Sequence, residues 1–183
     1  MGLVASRVDH ARLRYYALRH RDRLTLGSNV RIARGLRLDG GGRIVIGDRT
    51  MFDAENAPNF VYAGTGATVL IGPDCYFNGV SIVANEDVTI GPRCVLGPGC
   101  LLMTSDWHST SLPRNGPDAD VRSGPIRLGS DVWLAAGSSV LRGVTIGDRA
   151  VVALGTVVTR DVPEAVLVAS HQQRVVRHLE DRQ

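Results

Sequence analysis

The sequence predicts an all-β fold in which short strands wind into a three-sided column, and three observations predict it. In residues 128–163, LGSDVWLAAGSSVLRGVTIGDRAVVALGTVVTRDVP, an aliphatic residue recurs at Leu128, Leu134, Val140, Ile146, Val152 and Val158, always six apart. Two residues before each later one stands a small or β-branched side chain: Val132, Ser138, Val144, Ala150 and Thr156. Residues two apart in a strand share a side, so each pair faces the same way. Turn formers fill the gaps, as at Gly129, Ser130 and Asp131 or at Gly147, Asp148 and Arg149, so each hexapeptide is one short strand and one corner. Three such sides close a triangular coil of about 18 residues, and coils stacked about 4.8 Å apart bury a continuous aliphatic column.

Taken in order, residues 1–25 come first as a basic, helical segment. Val4, Val8, Ala11, Tyr15 and Leu18 mark one face of a helix, with Arg7, Arg12, Arg14, Arg19 and Arg21 mostly off it. The column occupies residues 26–163. Leu26, Ile32 and Leu38 keep the step, and Val88/Ile90, Cys94/Leu96 and Cys100/Leu102 repeat the paired pattern. Register slips between blocks: eight residues separate Leu38 from Ile46 and seven separate Val83 from Ile90. Residues 52–68 imply an enlarged corner. A longer interruption at 104–126, rich in Gly, Pro, Asp and Ser, leaves the column as an excursion, and long ordered loops in compact folds usually serve function. After Pro163 the step is lost. Residues 164–183 are expected to form a strand and a short C-terminal helix that close the open end, as terminal caps do in repeat proteins.

The chain has 183 residues, 44% of them hydrophobic, which suits one domain. No apolar run approaches the roughly 18 residues of a membrane span, and no secretory leader is recognisable at the start; a cytoplasmic protein is expected. The opening MGLVAS has the form of a myristoylation site, a pattern short enough to arise by chance. Residues 1–37 hold nine Arg against two Asp, whereas residues 38–183 hold twelve Arg against sixteen acids. The positive charge therefore sits at one end, where it is a solvated helix face or a contact for an anionic membrane or glycan. Lys is absent, so phosphate binding falls to Arg. Cys75, Cys94 and Cys100 lack CxxC spacing and a His-rich partner, which argues against a disulfide framework or zinc site and for small buried residues of the repeat.

With VTIGPRCVLGPGCLLMTSDWH and the PIRLGSDVW…TRDVP stretch in view, the chain resembles the hexapeptide-repeat acyltransferases, of the type that O-acetylates sugars and polysaccharides. The resemblance covers roughly residues 26–177. It implies a left-handed parallel β-helix, an acetyl-CoA-dependent O-acetyltransferase, no metal, no nucleic acid partner and a homotrimer with each site between neighbouring prisms.

The chemistry needs a base for the acceptor hydroxyl, donors for the developing oxyanion and a dock for a phosphate-ended carrier. Of five histidines only His108 lies beside the repeat, and imidazole as a class exchanges its proton near neutral pH. The resemblance makes His108 the general base. Asp106 is the nearest carboxylate in sequence to fix its other ring nitrogen, and equally suits an Asx turn. Asn78 resembles an Asn that orients the acceptor hydroxyl in some relatives, and equally suits a corner, since Asn tolerates the left-handed region. The family's coil after "VW" implies coenzyme contacts at Trp133 and Ala136, the latter through its N–H. Leu154, Thr159 and Arg160 match the positions lining the pantetheine and adenosine ends, and Arg174 and Arg177 match a C-terminal basic pair. Where relatives carry a loop resembling AGNPA, this chain has Ala169, Ser170, His171, Gln172 and Gln173; loss of Gly and Pro implies a different backbone path there.

Other functions are compatible with parts of the same pattern. A binding or structural β-helix without coenzyme would share the repeat, and an antibiotic-modifying acetyltransferase would share the scaffold. A zinc carbonic anhydrase on such a fold needs three His from neighbouring coils, and a nucleotidyltransferase needs a further domain before the repeat.

Overall fold

The computed structural model describes residues 10–32, 35–54, 57–169 and 174–178. One helix, α1 (His10–Arg19), precedes six coils of three strands. In chain order these are β1 (Leu24–Leu26), β2 (Arg31–Ile32) and β3 (Leu36–Asp39); β4 (Arg43–Ile46), β5 (Met51–Asp53) and β6 (Asn59–Ala63); and β7 (Thr68–Ile71), β8 (Tyr76–Asn78) and β9 (Ser81–Ala84). The next three coils are β10 (Val88–Ile90), β11 (Val95–Leu96) and β12 (Leu101–Met103); β13 (Ile126–Leu128), β14 (Trp133–Leu134) and β15 (Ser139–Leu141); and β16 (Thr145–Ile146), β17 (Val151–Val152) and β18 (Val157–Val158). β19 (Val166–Ala169) and β20 (Arg174–His178) finish the described chain.

Each strand from β1 to β15 pairs in parallel with the one three places later, which makes three faces. The first runs β1-β4-β7-β10-β13-β16, the third β3-β6-β9-β12-β15-β18, and the second β2-β5-β8-β11-β14-β17 with β19 and β20 added. Leu128 aligns with Ile146, Leu134 with Val152 and Val140 with Val158; the six-residue step is therefore one side of a triangle and three steps are one coil. All six of these side chains are buried, as are Val132, Ser138, Val144, Ala150 and Thr156. Each large aliphatic residue taken from water this way contributes about 1.5–3 kcal/mol.

The Gly that follows the first-face strand of each coil is there for closeness. A Cβ on Gly91 would lie 2.4 Å from the Gly129 carbonyl oxygen, and one on Gly129 would lie 2.8 Å from Asp148 N. Two residues on, the same corner turns through the left-handed region with side chains other than Gly: Arg49 (φ 56°), Asp74 (60°), Arg93 (59°), Asp131 (59°) and Arg149 (59°). Such a backbone is unfavourable for residues with a Cβ. Here the stacked side chains offset it: Arg49 makes two hydrogen bonds to Asp74 at 2.6 Å, and Arg93 makes two to Asp131 at 2.7 Å.

Irregular corners lie between the second and third faces and between the third and first. The one between β5 and β6 is enlarged, as the sequence implied. The one after β8 is short by a residue, since Phe77 aligns with Leu96 but Ser81 aligns with Leu101. The slip near Ile90 has another source: Ile82, the buried partner of Leu102, stands eight residues before Ile90, so the corner between the third and first faces is lengthened there as it is between Leu38 and Ile46. Cys75, Cys94 and Cys100 are free and buried.

Two terminal expectations change. The helix does not pack through Tyr15 and Leu18, which are 59% and 77% exposed; Tyr16 packs against the core instead and its hydroxyl donates to the Leu36 carbonyl. Val4 and Val8 lie outside the described residues. At the other end, Arg174–His178 is not helical. It pairs antiparallel with β19, with a bulge at Val176, because an open sheet edge offers backbone partners that a single exposed helical turn lacks and β-branched Val175 and Val176 suit a strand. Residues 170–173, the altered loop, and 179–183 lie outside the described residues. Among the described residues no helix is long and apolar enough to cross a membrane.

Candidate functional site

The excursion leaves the column after Met103, and Ile126 resumes it on the first face. Its neck is well tied. Thr104 is buried, and its Oγ1 accepts from the N–H groups of Asn85 (2.8 Å) and Glu86 (3.0 Å). Its carbonyl accepts from Gly124 N at 2.9 Å, Ser105 bridges Ser123 antiparallel, and Asp106 N donates to the Arg122 carbonyl at 3.0 Å. Ser123 Oγ donates to Glu86 Oε1 at 2.7 Å.

Beyond the neck, Trp107 adopts φ 61°. A bulky residue in that region is strained by about 1–3 kcal/mol, and its ring packs against Tyr62 with centroids 6.2 Å apart. His108 follows, exposed, with Nδ1 hydrogen-bonded to Asn115 Oδ1. An amide oxygen only accepts, so Nδ1 carries the proton and Nε2 presents its lone pair. The carboxylate expected to do this does something else: Asp106 Oδ2 forms an ion pair with Arg142 Nε of the next coil at 2.8 Å, outside hydrogen-bond geometry.

Asn78 ends β8 and is 7% exposed, and its Oδ1 has no hydrogen-bond partner among the described residues. The left-handed position of that corner belongs to Gly79 (φ 62°), not to Asn78. The corner role is thus taken by another residue. An orphaned buried carbonyl is unfavourable and marks a place where a partner is missing.

Trp133 stands on the outer side of the second face, 51% exposed. Ala136 and Leu154 stack at the edge between second and third faces, where Gly155 N donates to the Ala136 carbonyl at 3.0 Å. Neither Ala136 N–H nor Leu154 N–H has a hydrogen-bond partner among the described residues. Thr159 and Arg160 follow β18, exposed, and Arg174 and Arg177 lie on β20 opposite Ala169 and Leu167. Within one chain these residues do not converge. The neck of the His108 loop springs from the edge between third and first faces, while Ala136 and Asn78 sit on the edge between second and third. Among the described residues no group of three His, Cys, Asp or Glu is placed to hold a metal ion.

Comparison with known proteins bears on this arrangement. Residues 125–160 match the family model described as the hexapeptide repeat of succinyl-transferase. The galactoside O-acetyltransferase of Escherichia coli K12 is 36% identical over 124 residues, which are 67% of this chain and 60% of that protein. The hexapeptide-repeat-containing acetyltransferase VCA0836 of Vibrio cholerae overlays on 96% of this chain and 85% of its own, with TM-score 0.66 and 27% identity. The chain belongs to the hexapeptide-repeat acyltransferase family. It spans 60–61% of the length of the first curated relatives it matches. A second structure of the Vibrio protein, complexed with acetyl coenzyme A, overlays on 96% of this chain and 81% of its own with TM-score 0.62 and 24% identity.

For a hexapeptide-repeat acyltransferase, three residues of this site escape a reading of the sequence: Asn115, Arg142 and Tyr62. Asn115 is separated from His108 by aperiodic chain. Arg142 and Tyr62 are one coil above and two coils below the loop, and only the stacking register brings them to it. That register was available in principle, since Leu141 aligns with Met103, which sets Arg142 beside the start of the excursion.

Proposed function

We propose that this chain is an acetyl-CoA-dependent O-acetyltransferase acting on a hydroxyl of a sugar or polysaccharide precursor in the cytoplasm. One observation carries the reading: His108 has its Nδ1 proton committed to Asn115, which leaves Nε2 as the basic nitrogen on an exposed loop. The family membership and the acetyltransferase names of the relatives support the choice of donor and acceptor class.

In this reading Nε2 of His108 takes the proton of the acceptor hydroxyl as its oxygen bonds to the thioester carbonyl carbon. The Ala136 N–H, left without a partner, donates to the carbonyl oxygen as it becomes an oxyanion. When the carbon–sulfur bond breaks, the proton on Nε2 passes to the departing thiolate, giving free coenzyme A and the sugar ester. Trp133, Leu154 and Thr159 flank the carrier, and Arg160 with Arg174 and Arg177 meets its phosphates. Asn78 Oδ1 accepts from the acceptor.

His108 and Ala136 lie on different edges of the prism, so in this reading two copies share each site, within the homotrimer that the family resemblance implies. The outward row Tyr76, Val95 and Trp133 on the second face supports burial between copies; Val95 and Trp133 are 41% and 51% exposed.

The test is free thiol release from acetyl-CoA with a panel of sugars, together with sedimentation. Acceptor-dependent release from a trimer is expected. Calorimetric titration showing that acetyl-CoA does not bind would make the chain a structural or binding β-helix instead, and full turnover by a monomer would remove the shared site.

A further inference from the structure

The charge concentrated in the first 37 residues has no part in that chemistry, yet some of it converges. A cleft of about 550 Å³ lies between α1 and β3, lined by Arg19, His20, Arg23, Arg37 and Asp39 with Tyr15 at its side. Its charges do not cancel. Arg37 Nη2 donates to Asp39 Oδ2 at 2.7 Å and its guanidinium lies 5.4 Å over the Phe60 ring, so that pair is internally neutral. His20 adds a neutral donor: burial, then Arg23 and Arg19, hold its pKa below the usual histidine value, and its Nδ1 accepts from Arg23 Nη2 at 2.8 Å. Arg19 and Arg23 remain. Among the described residues no carboxylate forms an ion pair with either, and two guanidinium groups on one cleft wall repel each other unless an anion comes between them.

The cleft also points somewhere. Asp39 aligns with Tyr62 on the neighbouring strand β6, the Tyr62 ring packs against Trp107, and His108 is the next residue. One strand spacing of about 4.8 Å and one ring contact therefore link the cleft to the loop, on a single edge of a single chain. Trp107 is 46% exposed, and a half-exposed aromatic face suits the C–H face of a pyranose.

We propose that this cleft binds the anionic group, phosphate or carboxylate, of an acidic sugar acceptor, with the sugar ring laid along Tyr62 and Trp107 toward His108. The orientation toward His108 rests on the acyltransfer reading; the anion site itself does not. Neutral glycosides lack the group that Arg19 and Arg23 hold, so the selectivity is for charge.

The experiment is calorimetric binding to the full chain without coenzyme, using galactose 1-phosphate, galacturonate and methyl galactoside, with phosphatidylglycerol vesicles as a fourth probe. At least one acidic sugar should bind about tenfold or more tighter than the neutral glycoside, the scale of one charge-assisted hydrogen bond, and the phosphate and carboxylate arms decide which anion is preferred. Arg23→Ala and, as a fully surface change that leaves the His20 contact intact, Arg19→Glu should each erase the difference while coenzyme binding stays as in wild type. Equal affinity for charged and neutral sugars, binding of none of them, binding to the vesicles alone, or discrimination that survives Arg19→Glu would overturn the proposal. A chain that discriminates in this way but never releases thiol would keep the anion site and lose the acyltransfer reading.

Discussion

His108 Nδ1 and Asn115 Oδ1 are joined by a hydrogen bond across the tip of the excursion loop, so the loop itself selects the tautomer of its histidine. His108→Ala should lower turnover by roughly 2–4 orders of magnitude, the usual loss on removing a positioned base. Asn115→Ala should lower it by about tenfold, the worth of one orienting hydrogen bond, and Asn115→Asp, which still accepts from Nδ1, should retain most of it. Steady-state kinetics with thiol detection reads all three. Equal activity in the Ala and Asp variants at position 115 would mean that the bond orients nothing.

The column could be read from the chain because an inward position repeats at a fixed interval, and burial of Leu134 or Val152 needs no knowledge of any other part. The loop could not. Asp106 stands two residues from His108 and was the natural partner, but Arg142 is brought beside it by coil stacking, and a guanidinium holds a carboxylate more strongly than a neutral imidazole does. A similar limit applies at the ends. Tyr15 and Leu18 share a helical face that no neighbour among the described residues covers, while Tyr16 lies over the Leu36 carbonyl; which face packs depends on where the first coil starts, and helical periodicity carries no such information. The C-terminal VVRH segment fits either structure locally, and the open edge of β19 decides it.

The ladder of charges at the left-handed corners should make the fold acid-sensitive. The guanidinium of Arg49 holds the Asp74 carboxyl below its ordinary pKa, and Arg93 does the same for Asp131. A group whose folded pKa is depressed adds stability above its unfolded value, near pH 4, and loses that contribution as pH falls through the folded value. Melting temperature should therefore drop from pH 5 toward pH 3. The Asp74→Asn/Asp131→Asn variant should melt lower than wild type at pH 7 and converge on it at pH 3, and added salt should narrow the gap because these pairs face solvent. Parallel curves for the two proteins would mean that the ladder contributes nothing to stability.

Gly91 should tolerate no side chain. Its Cβ would sit 2.4 Å from the Gly129 carbonyl oxygen, 2.6 Å from Gly129 C and 2.9 Å from Ser130 N, all backbone atoms held by the next coil. Relief requires the fourth and fifth coils to separate, which breaks their ladder. Gly91→Ala is expected to destabilise by at least the 1–3 kcal/mol typical of overpacking, read by urea denaturation. A variant as stable as wild type would show that the stack yields more freely than a close-packed interior should.

Asn78 separates stability from activity. Its Oδ1 is buried and unpartnered, so the folded chain carries an unfavourable desolvated carbonyl. Replacing it by an apolar residue of similar size removes that penalty, and Asn78→Leu should leave stability unchanged or slightly raised. If the carbonyl awaits the acceptor hydroxyl, the same variant should raise the acceptor Michaelis constant or lower turnover by about tenfold, while the affinity for acetyl-CoA stays fixed. Denaturation midpoints and acceptor-saturation curves measured on one preparation test both halves. A variant less stable by several kcal/mol yet fully active would make Asn78 an ordinary structural residue at a shortened corner.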